Sequence, residues 1–238
     1  MRAGTAIIGG LLAVMASVPA FAQQDSGPRV TAEIATEERR RGIGWSDGDA
    51  VWGASLYVPL GAVSLDARAV SLRGAPRHGG ADAAIDLTMG YHRETGPWRI
   101  GVTGGYHLFP GADGMGYGEI GGDAGLLVGP ASIDLALRYA PRQSAIGGDN
   151  LYAGASASLG IPTTPFTFSA NVGHSSGSTR DPVRSARLRP DGDYMDYGAA
   201  IDWRRGRWLA RLRWSDTDAS SATPHAGATV IGSFSVEL

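Results

Sequence analysis

The stretch Asp193–Arg213, DYMDYGAAIDWRRGRWLARLR, decides the fold. Its first half sets Met195, Tyr197, Ala199, Ile201 and Trp203 against Asp196, Gly198, Asp202 and Arg204. Its second half sets Trp208, Ala210 and Leu212 against Arg207, Arg211 and Arg213. Both halves alternate with period two, one face apolar and the other small or charged, which is the pattern of a half-buried strand. Only Arg205-Gly206 is left to turn the chain between them. The stretch therefore reads as two antiparallel strands joined by a tight hairpin.

The same alternation recurs up the chain. In Asp82–His92 it sets Ala83, Ile85, Leu87, Met89 and Tyr91 against Asp82, Asp86, Thr88 and His92. Ser132–Arg138 sets Ile133, Leu135 and Leu137 against Ser132, Asp134 and Arg138. No 3.6-residue amphipathic segment follows Gln23. About twelve strands are expected: 30–40, 49–58, 63–73, 82–93, 98–108, 116–128, 132–140, 150–160, 166–175, 192–204, 207–216 and 227–238. Their connections alternate in length. Gly42–Gly48, Gly74–Ala81, Pro110–Met115, Pro141–Asp149, Ser176–Asp191 and Thr217–Ala226 are long; Pro59–Ala62, Glu94–Pro97, Gly129-Pro130, Pro162–Pro165 and Arg205-Gly206 are short. Short turns on one rim and long loops on the other describe an up-and-down outer-membrane β-barrel with periplasmic termini. A soluble sandwich with Greek-key connections has no reason to alternate so. Aromatic placement agrees. Tyr57, Tyr91, Trp98, Phe166, Trp203 and Trp208 lie near short turns, and Tyr106, Tyr139 and Trp214 near long loops, as two interfacial girdles would.

Composition bounds the rest. The 238 residues include 36 Gly, roughly twice average usage, and no Cys, which excludes a disulfide scaffold, a thiolate metal site and a cysteine nucleophile. Glycines such as Gly90, Gly101, Gly105, Gly121, Gly125 and Gly198 fall on the polar face, where a missing side chain eases strand curvature and leaves lumen space. A formal charge of −2 gives no nucleic-acid footprint. Met1–Ala22 reads as a secretory signal. Arg2 leads an apolar stretch from Ile7 to Val18, and Ala20-Phe21-Ala22 is an A-x-A cleavage site before Gln23. Residues 23–238 are then a single barrel domain.

A family resemblance follows from several motifs. Arg41-Gly42-Ile43-Gly44-Trp45-Ser46-Asp47-Gly48 resembles the R-G-I-S-x-S-D-G turn of the TorF-type porins of Gram-negative bacteria. Tyr106-His107-Leu108-Phe109-Pro110-Gly111-Ala112, Tyr117-Gly118-Glu119-Ile120, Arg138-Tyr139-Ala140-Pro141 and Leu151-Tyr152-Ala153-Gly154 extend the likeness, in order, over roughly residues 30–177. The chain departs from the family with Gly44, where Ser is common, and from many outer-membrane proteins with Leu238 in place of a terminal Phe or Trp. The resemblance implies an outer-membrane channel-like protein. Its expected partners are outer-membrane lipid, lipopolysaccharide, small solutes and the barrel-assembly machinery, and no cofactor is expected.

With the apolar face in lipid, the other face lines a lumen. Its expected acids are Asp66, Asp82, Asp86, Glu119, Asp123, Asp134, Asp196 and Asp202; its bases are Arg68, Arg99, Arg138, Arg204, Arg211 and Arg213. The mixed signs suit passive diffusion of small polar or charged solutes, and suit equally a sealed lumen stitched by ion pairs. Ser176–Asp191, with Arg180, Arg184, Arg187 and Arg189, is the loop best equipped to fold inward; its alternative is a solvated loop or one that meets lipopolysaccharide phosphates. The Arg39-Arg40-Arg41 run reads as a solvated or lipopolysaccharide-facing rim.

Enzyme readings are weaker. His174-Ser175-Ser176 has the H-x-S spacing of lipid A deacylase barrels, but Asp181 is the single carboxylate in the next dozen residues to orient the histidine. Gly116–Gly121 matches G-x-G-x-x-G inside a strand, where no dinucleotide site forms. His78, His92, His107 and His225 lack metal-ligand spacing.

Overall fold

The computed structural model describes residues 27–220 and 222–238; the leader expected at Met1–Ala22 lies outside the described residues. Twelve antiparallel strands close into a barrel. In chain order the strands are β1 (Arg29–Ala35), the short β2 (Arg39–Arg40) and β3 (Ile43–Gly44), β4 (Val51–Leu60), β5 (Val63–Ala75), β6 (Ala81–Thr95) and β7 (Trp98–Leu108). There follow β8 (Tyr117–Val128), β9 (Ala131–Gln143), β10 (Gly148–Gly160), β11 (Phe166–Ser176), β12 (Tyr194–Arg205), β13 (Trp208–Thr217) and β14 (Thr229–Glu237). From β4 to β14 each strand pairs with the next in the chain. β1 takes β14 on one edge and β4 on the other, which closes the ring, while β2 and β3 pair only with each other. Closure leaves no unpaired edge, the condition for a sheet to survive away from water.

The short connections are the expected ones. Gly129 (φ 59°) and Gly206 (φ 57°) occupy the left-handed region that tight hairpin turns demand. Alternation then decides what each strand presents. Outside, Ile34, Trp52, Met89, Ile100, Val102 and Ile120 are each about 60% exposed, part of an apolar belt around the whole barrel. A belt of that extent is far beyond the isolated apolar patches of a water-soluble surface. Most girdle aromatics stand in it, with Trp208 and Phe234 stacked at 5.4 Å. Tyr57 is a correction. It faces inward, in register with Asp66 and under the Arg29 guanidinium at 4.6 Å, because on β4 the even residues Trp52 and Leu56 take the outer face.

The buried apolar residues gather at the long-loop end. Trp45, Val70, Leu72, Phe109, Tyr117, Ile146 and Leu188 form one cluster that joins strand ends to the first, third, fourth and fifth long connections. That end of the barrel has a lid.

Candidate functional site

The first long connection, between β1 and β4, enters the lumen. Residues 37–46 are buried except for the partly buried Arg41. Arg39 pairs with Gly44 and Arg40 with Ile43, and Arg41 (φ 48°) and Gly42 (φ 75°) make the turn of a small hairpin. This overturns the expectation that Arg39-Arg40-Arg41 is a solvated rim, and it adds a second inward element to Ser176–Asp191, the loop expected to fold inward. The reason is electrostatic: each arginine finds a carboxylate or a backbone carbonyl inside, so burial leaves no bare charge.

Arg40 donates through Nη1 to Asp86 Oδ1 at 2.8 Å and through Nε to Glu38 Oε1 at 2.8 Å, and its guanidinium lies 4.1 Å from the Trp45 ring. Asp86 also meets His107 Nδ1 at 2.7 Å. Arg41 Nη2 donates to both oxygens of Glu119, at 2.8 and 2.7 Å, while its guanidinium stacks on Tyr152 at 4.6 Å. Arg68 grips Glu38 with two bonds of 2.7 and 2.8 Å. Arg39 bonds Glu37 at 3.2 Å and the Gly227 carbonyl at 2.8 Å. Tyr194 OH donates to the Arg41 carbonyl at 2.9 Å and Arg213 to the Arg39 carbonyl at 3.3 Å. The hairpin is thus tied to β5, β6, β8, β12 and β13. Burial alone would raise the Glu38 pKa; Arg68 and Arg40 outweigh it and hold the group at about 2. Burial alone would lower the Arg41 pKa, yet Glu119 outweighs it and pushes the pKa up.

Elsewhere on the inner face most of the expected lining residues pair with one another along the wall. Arg138 pairs with Asp123 at 2.6 Å and Arg211 with Asp202 at 2.5 Å. Arg99 on β7 reaches Asp134 on β9 at 3.2 Å, two strands away. It crosses Gly125 on β8, where a Cβ would stand 2.8 Å from the Asp134 carboxylate. Glycine on the inner face here lets an ion pair bridge alternate strands. Asp66 is buried beside Ser64 (3.4 Å), Asp196 beside Tyr152 (3.5 Å) and Asn171 (3.4 Å), and Arg204 points inward, half-buried. Asp82 departs from the expectation. It is exposed on the long-loop rim beside Gly111, because the bulge between Ser71 and Ala75 ends regular pairing there.

Above the hairpin, the β11–β12 connection crosses the mouth, carrying the single-turn α1 (Pro182–Ser185). Leu188 joins the apolar cluster, and Arg187 donates to the carbonyls of Met115 (3.1 Å) and Ala145 (2.6 Å). Of its arginines, Arg187 and Arg189 are buried and Arg180 is exposed. A cavity of about 20 Å³, water-sized, remains between hairpin and lid among Arg40, Arg41, His107, Tyr117 and Tyr194. Beside the hairpin a polar recess of about 390 Å³ opens between Glu37, Arg39, Gly48, His225 and Thr229.

His174 is exposed on the outer face of β11, and Ser176 shares that face. Asp181 is committed elsewhere, accepting from the backbone N–H groups of Val183 (3.0 Å) and Arg184 (3.2 Å) as the cap of α1. Among the described residues no group of three His, Cys, Asp or Glu is placed to hold a metal ion, and no helix is long and apolar enough to cross a membrane.

Residues 22–234 match a family described as "Bacterial protein of unknown function (Gcw_chp)". No curated protein matches the chain in sequence. Among solved structures, the chain is similar in fold to the COG4313 outer membrane channel from Pseudomonas putida F1, with TM-score 0.59, 10% identity, and 94% of this chain and 98% of that one covered. It is similar also to the NanC porin (TM-score 0.58, 8% identity, 87% and 97% covered). The KdgM porin gives TM-score 0.55 at 7% identity, with 89% and 99% covered.

Proposed function

We propose that this chain, which belongs to the Gcw_chp family of bacterial proteins of unknown function, is an outer-membrane channel for small polar or charged solutes. The observation that carries the reading is a closed barrel, apolar outside and charged inside, whose lumen is crossed by a hairpin held through ion pairs and hydrogen bonds. Its likeness in fold to outer-membrane channels supports the reading. The kinship with TorF-type porins, export by a cleaved leader and contact with lipopolysaccharide belong to the same proposal. Passage is through the lumen once the hairpin at Arg39–Gly44 and the lid move aside. Neither sign of charge dominates the lining, so selectivity between small anions and cations is expected to be weak.

Planar-bilayer recordings of the refolded chain test the reading. Discrete conductance steps are expected, and their absence in every salt sinks it. Oligogalacturonate, present in one complex of the KdgM porin, is a suitable first large solute. A second reading, a non-conducting structural barrel, is favoured by the apolar cluster that seals the long-loop end. It predicts silent bilayers with normal folding. An acyl hydrolase would instead release fatty acid from lipid A and lose that release in Ser176→Ala.

A further inference from the structure

His78 sits in the one-turn 3-10 helix Pro76–His78 between β5 and β6, fully buried. Its ring is held between Trp45 of the hairpin, 4.3 Å away, and Phe109 of the β7–β8 connection, stacked at 4.8 Å. Its Nδ1 faces Arg187 Nη2 of the lid at 3.3 Å. A guanidinium has only donors, so Nδ1 must be the acceptor and carry no proton. The proton of the neutral ring is then on Nε2, which is buried without a partner.

We infer that His78 is a proton-operated latch: the lid is closed while the imidazole is neutral and is released when it takes up a proton. Protonation would aim an N–H at a guanidinium and add a positive charge to a positive site. Arg187 faces the ring from the lid, Arg40 from the hairpin and Arg77 from its own turn, against the single carboxylate of Glu38. That carboxylate is already gripped by Arg40 and Arg68. The strain falls on Arg187, whose other bonds hold the carbonyls of Met115 and Ala145. Displacing it loosens the lid from the second, third and fourth long connections together. Burial first, then Arg187 and Arg40, hold the closed-state pKa at about 2, against an ordinary 6.5. A closed state that resists protonation loses ground as pH falls below 6.5. The opening equilibrium gains up to tenfold per pH unit, or about 25-fold between pH 7 and pH 5.

The lid movement stands on this geometry alone; a consequence for conduction rests on the channel reading. The test is hydrogen exchange of residues 178–191 in the refolded full chain in lipid vesicles, corrected for intrinsic rates. A rise of about 25-fold from pH 7 to pH 5 is expected. His78→Asn, which keeps an acceptor toward Arg187 and cannot titrate, is expected to be flat. Should that variant fail to fold, His78→Gln, which also offers an acceptor and cannot titrate, carries the same expectation, and an acid response equal to the native chain's overturns the latch there too. Exchange that ignores pH in the native chain, or an equal acid response in His78→Asn, overturns the latch. Conductance recorded alongside separates the two readings. A pH-responsive lid in a silent bilayer keeps the latch and removes the channel. Conductance without a responsive lid does the reverse.

Discussion

Glu119→Gln should release the hairpin from the lumen. Glu119 is 8% exposed and both its oxygens bind Arg41, whose side chain is 12% exposed. Breaking a buried ion pair by removing one charge costs about 3–5 kcal/mol, because the remaining charge is left without compensation. Here the amide oxygen still accepts one bond and the stack on Tyr152 survives, so the lower end, about 3 kcal/mol, applies. At 1.4 kcal/mol per decade, the inward position loses about two orders of magnitude against the released one. Hydrogen exchange of residues 37–46 reads this directly, and a longer open time in bilayers reads its consequence. The ladder of the barrel is untouched, so the unboiled protein should keep its heat-modifiable gel shift. Arg41→Gln in the same chain removes the stranded cation, and the double variant should recover most of the protection. Unchanged exchange in the single variant, or a double variant no better protected than the single, refutes the reasoning.

Three further outcomes follow from the geometry. Leu135→Arg, on the outer face of β9 and 53% exposed, should destabilise the lipid-folded barrel by about 2–4 kcal/mol, read as a drop in urea stability in vesicles. Gly173→Val should cost about 1–3 kcal/mol in the same assay, since its side chain would collide with the Tyr152 hydroxyl and the Asp196 carboxylate. Acid should loosen the hairpin in its own window. Glu38 has a pKa of about 2 in place and an ordinary value of 4.5, so its anchoring is complete above pH 4.5 and lost as pH falls toward 2. Exchange of residues 37–46 should therefore begin to rise near pH 4.5, two units below the expected onset at the lid.

The barrel was legible because its signals are local. Met195, Tyr197, Ile201 and Trp203 on one face and Asp196, Asp202 and Arg204 on the other declare the strand, its two environments and its hairpin partner within twenty residues. The pairs Arg211–Asp202 and Arg138–Asp123 join adjacent strands, and the inward direction of each member follows from alternation. Tyr57 shows the limit of that reasoning: nearness to a turn says nothing about which face a residue takes. Asp82 shows another, since a bulge ends the alternation just where the rim begins.

The site was not legible. Glu37, Glu38, Arg39, Arg40 and Arg41 look like a solvated charge run, and the one hint otherwise is that acids directly precede the bases, ahead of a Gly42 turn. Their fate depends on Asp86 and Glu119, 46 and 78 residues beyond Arg40 and Arg41, and on Arg68 between. Whether a charge is buried is settled by the difference between its desolvation and the attraction of a counter-charge a few ångströms away. That distance exists only once the barrel has closed. The same holds for His78, whose neutral ring depends on Trp45, Phe109 and Arg187 arriving from three different connections. The sequence by itself determined a closed sheet, its two faces and its two rims, since period two and turn spacing are properties of neighbouring residues. The tertiary structure alone decided that the long-loop end is shut, by which hairpin, and by which charges, because those are properties of residues that meet across a lumen.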